Sequence, residues 1–131
     1  MKVDRRRVYW HVTFQPHRRA QALWGEIEQY LYELIEEAAK RLEVTVIKVV
    51  AMPDHVHMLI TAPPWVDLIE VIAQTKGYTA RRILQRVPEL RLDMQSPGFW
   101  ASGYHYTRHS QASLPSVLRY LENQKTKGGL E

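Results

Sequence analysis

Two short constellations in this 131-residue chain carry side chains able to do chemistry. The first is His55-Val56-His57, inside a segment, 55–61, that reads as a strand. Residues two apart on a strand project from one face, so both imidazoles could hold a single metal ion from a rigid platform. The same spacing also serves a surface pair or two hydrogen-bonded core histidines. The second is Tyr120 with Gln124, four apart in a segment of helical periodicity and therefore neighbours on one side. Leu114, Val117, Leu118 and Leu121 mark that helix's apolar stripe. At ~100° per residue, Tyr120 falls roughly 100° from the centre of the stripe and Gln124 closer to it. A phenol at that border could reach a groove, or could be an ordinary boundary tyrosine.

The elements that must position these groups follow from hydrophobic periodicity. Residues 8–14 alternate as a strand, with Val8, Trp10, Val12 and Phe14 on one face and Tyr9, His11 and Thr13 on the other. Leu23, Ile27, Leu31, Leu34, Ile35, Ala38 and Leu42 recur at helical spacing, with acids early and Lys40-Arg41 late, as the helix dipole favours. This acidic helix is read as a structural cover for the sheet. Residues 44–50 are β-branched and predict a strand, Met52-Pro53-Asp54 supplies a turn, and 55–61 returns antiparallel. Val56, Met58 and Ile60 make the other face of that strand strongly apolar, which predicts a central position and a fixed register. A second helix is predicted over 66–87 with Ile69, Ile72, Ala73, Ala80, Ile83, Leu84 and Val87 inward, then a loop over 89–98. An aromatic strand over 99–107 and a last helix over 114–127 complete the order. Hairpins and helices on a largely antiparallel sheet give an α+β fold, read as a single domain, 1–131.

Composition narrows the class of function. There is no cysteine, which excludes disulfides and thiolate-bound zinc and suits a reducing cytoplasm. No apolar run approaches the ~18 residues of a membrane span, and the basic N-terminus lacks the apolar stretch of a signal peptide. No Gly-Lys loop is present to cradle a nucleotide phosphate. The net charge is +4, but residues 26–43 hold six acids against two bases, leaving sixteen bases against eight acids elsewhere. Such an excess favours a polyanion through counterion release, though a basic protein need bind none. Arg18, Arg19, Lys76, Arg81 and Arg82 are the candidate phosphate contacts. Phe99, Trp100, Tyr104 and Tyr106 could stack on splayed bases, with at least two of the four expected in the core. His11, His17, His105 and His109 show no metal-type spacing with one another, and Asp54 is read as a turn residue rather than a ligand.

Taken in order, these pieces resemble one family. Met52-Pro53-Asp54-His55-Val56-His57-Met58-Leu59-Ile60, followed by Ala62-Pro63-Pro64, is similar to the histidine-hydrophobe-histidine strand of the single-tyrosine transposases of the IS200/IS605 group. Lys76-Gly77 with Ala80-Arg81-Arg82 resembles the family's Lys-Gly-x-x-Ala-Arg-Arg helix. Phe99-Trp100, Gly103-Tyr104 and Tyr120-Leu121-Glu122-Asn123-Gln124 resemble its aromatic strand and nucleophile helix. The likeness spans nearly the whole chain.

The resemblance implies a ferredoxin-like HUH nuclease fold, a divalent metal on His55, His57 and Gln124, and Tyr120 as the nucleophile. It implies a covalent 5′-phosphotyrosine in single-stranded DNA at hairpin-marked element ends, and a homodimer in which Tyr120 of one subunit could serve the histidines of the other. Imidazoles alone would argue for zinc; the resemblance points instead to Mg2+ or Mn2+, with DNA oxygens and water completing the shell. Where the family has Gly-Tyr-Phe, Gly103-Tyr104 is followed here by His105-Tyr106, and the family's later glycine stretch is His109-Ser110-Gln111-Ala112, which argues against a large pivot of the last helix. Two rival readings are a domesticated relative that only grips hairpins, and an unrelated metal hydrolase using the histidines with Asp54.

Overall fold

The alternation in the first strand organises the fold. In the computed structural model, which describes residues 7–93 and 98–129, β1 (Val8–Phe14) buries Val8, Val12 and Phe14 on one face and turns Tyr9, His11 and Thr13 to the other. Helix α1 (Gly25–Arg41) lays Leu31, Leu34, Ile35 and Ala39 on the apolar face. Strands β2 (Thr45–Met52) and β3 (His55–Ala62) then form a hairpin across Pro53-Asp54. Helix α2 (Leu68–Arg86) packs beside α1. Asp67 caps it, its carboxylate accepting from the Ile69 and Glu70 amides. A single turn, α3 (Leu90–Asp93), precedes β4 (His105–His109) and the last helix, α4 (Leu114–Gly129).

The sheet runs β2-β3-β1-β4 with every neighbouring pair antiparallel. Strands β1 and β2 are joined through α1, and β3 and β4 through α2, each pair enclosing one antiparallel strand. This is the split β-α-β arrangement of ferredoxin-like sheets, the α+β class expected. Strand β3 is central, as its two-sided burial required. The main core fills the space between the sheet and the α1–α2 layer. A smaller cluster lies on the opposite face, where Val117 and Leu121 of α4 pack on Val50 and Leu59. Among the described residues no helix is long and apolar enough to cross a membrane.

Three expectations change in detail. The aromatic strand predicted over 99–107 is confined to His105–His109; before it, Trp100 makes only an isolated bridge to Pro16. Lys76 explains why, since its ammonium donates to the Ala101 and Gly103 carbonyls at 2.8 and 2.9 Å. Gly103, at φ 95°, then turns the chain as only glycine does readily. The loop predicted over 89–98 contains the α3 turn, anchored by buried Leu90; residues 94–97 lie outside the described residues. The inward stripe of α2 is Leu68, Val71, Ile72, Thr75, Thr79, Ile83 and Leu84, while Ile69 is 48% exposed and Ala73 also faces out. Thr79 holds a fully buried position because its hydroxyl is satisfied. Thr79 Oγ1 donates to Thr75 O at 2.8 Å and accepts from Trp100 Nε1 at 2.9 Å.

That last contact gives a prediction against simple hydrophobicity. Thr79→Val is close in shape and more apolar, yet it leaves the Trp100 indole N–H without its acceptor. Urea unfolding should show a loss of about 1–2 kcal/mol; an unchanged or higher midpoint would show that the bond contributes nothing.

Candidate active site

The β1–β3 register decides which side chains meet. Thr13 lies opposite His57 and His11 opposite Leu59, so His11, Thr13 and His57 share the face away from α1 and α2, with His11 diagonal to His57. His11 Nε2 lies 2.9 Å from His57 Nδ1, and Thr13 Oγ1 lies 3.4 Å from the same nitrogen. His55 opens β3 with its ring centroid 4.9 Å from that of His57. Its Nδ1–H donates to Asp54 Oδ1 at 2.7 Å, and Arg19 pairs with Asp54 Oδ2 at 3.2 Å. Both histidines of the pair therefore have Nδ1 occupied. His57 is only 6% exposed, and its Nε2 is buried with no hydrogen-bond partner among the described residues.

Electrostatics follow from that burial. Desolvation, reinforced by His11 and then His55, lowers the His57 pKa from 6.5 to about 4. Desolvation and nearby His109 also lower His11. Near pH 7 both rings are neutral, the form that has a lone pair to offer a metal. For Asp54, burial opposes ionisation, but the hydrogen bond from His55, its charge and that of Arg19 outweigh burial, and the carboxyl titrates below its ordinary value.

Helix α4 brings the phenol to this cluster. The Tyr120 ring centroid is 6.2 Å from that of His57 and 6.3 Å from that of His11, edge-on to both, while the residue stays 51% exposed. Val117 and Leu121 seat the helix on the sheet. Lys125, one turn further on, clasps the β2 edge: its Nζ donates to Glu28 Oε2 at 2.8 Å and to Ala51 O at 2.9 Å. Gln124 is half-buried in the same turn. Among the described residues no set of three or more His, Asp or Glu side chains is arranged to hold a metal ion. Any metal on the two imidazoles would need a ligand of another kind.

The other candidates scatter. Arg81 and Arg82 lie on the α1–α2 layer, across the sheet from Tyr120, where they line a groove of about 470 Å³ with Arg41, Tyr78 and Gln85. Arg82 stacks over the Tyr78 ring at 4.8 Å. Lys76 is occupied by the two carbonyls described above. Arg18 is exposed in the turn His17–Arg19 at φ 56°, while Arg19 pairs with Asp54. Of the four aromatics, Phe99 is fully buried and Trp100 half-buried, whereas Tyr104 and Tyr106 are exposed and stacked on each other, centroids 6.2 Å apart. His11 has no metal-type spacing with the other lone histidines, yet it touches His57. The usable signal was facial parity: the apolar face of β1 must match that of β3, which places Tyr9, His11 and Thr13 with His57.

Comparison with known proteins decides the family. The model of the IS200-like transposases matches residues 4–124. The chain belongs to that family. This IS200-like transposase is 29% identical over 130 residues to the ISDra2 transposase TnpA of Deinococcus radiodurans, covering 97% of this chain and 93% of that one. It is 24% identical over 115 residues to the transposase for insertion sequence element IS200 of Salmonella typhimurium, covering 88% and 75%. Among solved structures, a Deinococcus radiodurans crystal structure described as a transposase superposes with a TM-score of 0.77 at 25% identity, covering 95% of this chain and 98% of that one. A REP-associated tyrosine transposase bound to a REP hairpin shares the fold, with a TM-score of 0.68 at 16% identity over 98% and 72%. This IS200-like transposase is thus a DNA-processing enzyme of transposition, and DNA is its partner.

The Lys76 contacts carry a prediction. Lys76→Met removes two charge-assisted bonds and should cost about 1.5–3 kcal/mol in chemical unfolding. Because its ammonium already serves the backbone, the salt dependence of DNA affinity should keep its slope. A slope shallower by about one unit would instead mark Lys76 as a phosphate contact.

Proposed function

We propose that this chain cuts and rejoins single-stranded DNA at hairpin-marked element ends, with Tyr120 as the covalent nucleophile and His55, His57 and Gln124 as protein ligands of a divalent ion. The observation that carries the reading is the Tyr120 ring lying edge-on to a histidine whose buried Nε2 has no partner among the described residues. The donor set fits a metal. Both Nδ1 atoms are held from behind, by His11 and by Asp54, which is how ligating histidines are oriented. Gln124, one turn beyond Tyr120, would supply a neutral oxygen. Two imidazoles and an amide leave positions open for water and DNA oxygens, in keeping with Mg2+ or Mn2+. Bound there, the ion would offset negative charge developing on the phosphoryl oxygens and help fix the ester.

The chain's own residues do the rest. The Tyr120 oxygen, relieved of its proton, attacks the phosphorus in line; the phosphorus–O3′ bond breaks, and the departing oxygen takes a proton to become a 3′-hydroxyl. The 5′-phosphate stays esterified to Tyr120. A 3′-hydroxyl then attacks that phosphorus and gives up its proton, the bond to the phenol oxygen breaks, the departing phenolate takes a proton back, and a phosphodiester re-forms. One ester is exchanged for another, so rejoining needs no ATP. Exposure of Tyr120 leaves a strand room to enter. Within one chain the phenol already stands beside its own histidines, and one nucleophile per chain calls for a homodimer when two ends are processed. A hairpin ligand is in keeping with the REP-associated tyrosine transposase of similar fold, which is bound to a REP hairpin. The hydrolase reading loses support, since both Asp54 oxygens are engaged.

Incubating the protein with single-stranded element-end DNA and Mn2+ should give an SDS-stable adduct, and Tyr120→Phe should give none. Hairpin binding without an adduct from the unsubstituted chain would favour the binding-only relative. Strand cleavage that survives Tyr120→Phe would overturn the mechanism.

A further inference from the structure

We propose that His11 is a positioning residue: by accepting a hydrogen bond at Nε2 from His57 Nδ1–H, it holds His57 in the tautomer whose Nε2 lone pair faces the site. The inference deepens the metal reading of His55 and His57 and rests on it. A neutral imidazole carries one proton, on either nitrogen, and the choice is set by what each nitrogen meets. His57 Nδ1 meets His11 Nε2 at 2.9 Å, with the Thr13 hydroxyl further off at 3.4 Å. His57 Nε2 is buried and meets nothing among the described residues. Either tautomer leaves Nε2 without a partner among the described residues, but a proton there would be a buried donor with no acceptor and would close that nitrogen to a cation, whereas a lone pair there is what a divalent ion needs. A proton on Nδ1 finds an acceptor at once, and Nε2 is left as a bare lone pair. His11 must then keep its own proton on Nδ1.

The arrangement is built by the sheet rather than by local sequence. His11 sits on β1, diagonal to His57 across the β1–β3 pair, and its ring also lies 6.3 Å from Tyr120 and 6.4 Å from His109. Asp54 makes the matching contact behind His55, at 2.7 Å on Nδ1. The two histidines are thus presented alike, one backed by a carboxylate and the other by a neutral ring. The neutral partner suits the more buried site, because a carboxylate behind His57 would itself have to be desolvated.

The test separates the positioning role from the metal site. Long-range 1H–15N correlation spectra of the metal-free protein near pH 7.5 report the tautomer of each histidine. His57 is expected as the Nδ1–H form in the unsubstituted chain; finding it as Nε2–H overturns the inference with no variant needed. His11→Phe keeps a ring beside Tyr120 but removes the acceptor, and should shift His57 toward Nε2–H. It should also weaken Mn2+ binding about 10- to 100-fold, measured by paramagnetic resonance of the free ion on protein whose circular dichroism is unchanged. His11→Gln places an amide oxygen near the lost nitrogen and should restore most of the affinity. Equal Mn2+ affinity in His11→Phe and the unsubstituted chain would overturn the positioning role. Mn2+ affinity unchanged in His57→Ala would sink the metal reading itself, and the inference with it.

Discussion

The antiparallel register of β1 on β3 is the constraint on which the rest of this structure depends. With Thr13 opposite His57, every second residue of both strands turns away from the α1–α2 layer, and the polar sets Tyr9, His11, Thr13 and His55, His57 become one surface. A slip of one residue would send these imidazoles into the core and the aliphatic set to the other face. The strong apolarity of Val12, Phe14, Val56, Met58 and Ile60, all nearly or fully buried, makes that slip prohibitive. Core packing on one side of the sheet therefore fixes chemistry on the other.

Helix α4 is held to this surface by less. Four buried side chains, Val50, Leu59, Val117 and Leu121, make the apolar contact, against a core several times larger under α1 and α2. The Lys125 ammonium, bridging Glu28 and the Ala51 carbonyl, adds a polar clasp at the sheet edge. Tyr32 belongs to the same network: its hydroxyl donates to Glu28 and accepts from the Ala51 amide, and burial pushes its phenol up to about 12. The helix that carries Tyr120 is thus seated by a small apolar cluster and one polar clasp. The polar clasp ties it to α1, the acidic helix read from sequence as purely structural.

Much of the fold was legible because period and burial agree. The alternation of 8–14, the two-sided apolar run of 55–61 and the helical stripes of α1 and α4 each specify a face, and the ferredoxin-like order follows. Legibility failed where polar atoms carried structure. Thr75 and Thr79 occupy core positions of α2 that aliphatic counting gave to Ile69 and Ala73. Lys76 takes the carbonyls that a strand at 101–103 would have used. At the candidate site, the pair His55 and His57 and the partners Tyr120 and Gln124 could be picked out by spacing within one element. His11 could not, because its relation to His57 exists only across two paired strands. Nor could Asp54, whose backing of His55 looks in sequence like turn chemistry.

On the reading proposed above, two back-braced imidazoles present their Nε2 atoms to one divalent ion beneath Tyr120. Anomalous diffraction at the manganese edge, from crystals grown with Mn2+, would locate that ion. A single strong peak is expected at bonding distance, about 2 Å, from Nε2 of both His55 and His57 in the same site. A peak bonded to other residues, or to Nδ1 of either ring with the His11 or Asp54 contact broken, would contradict it.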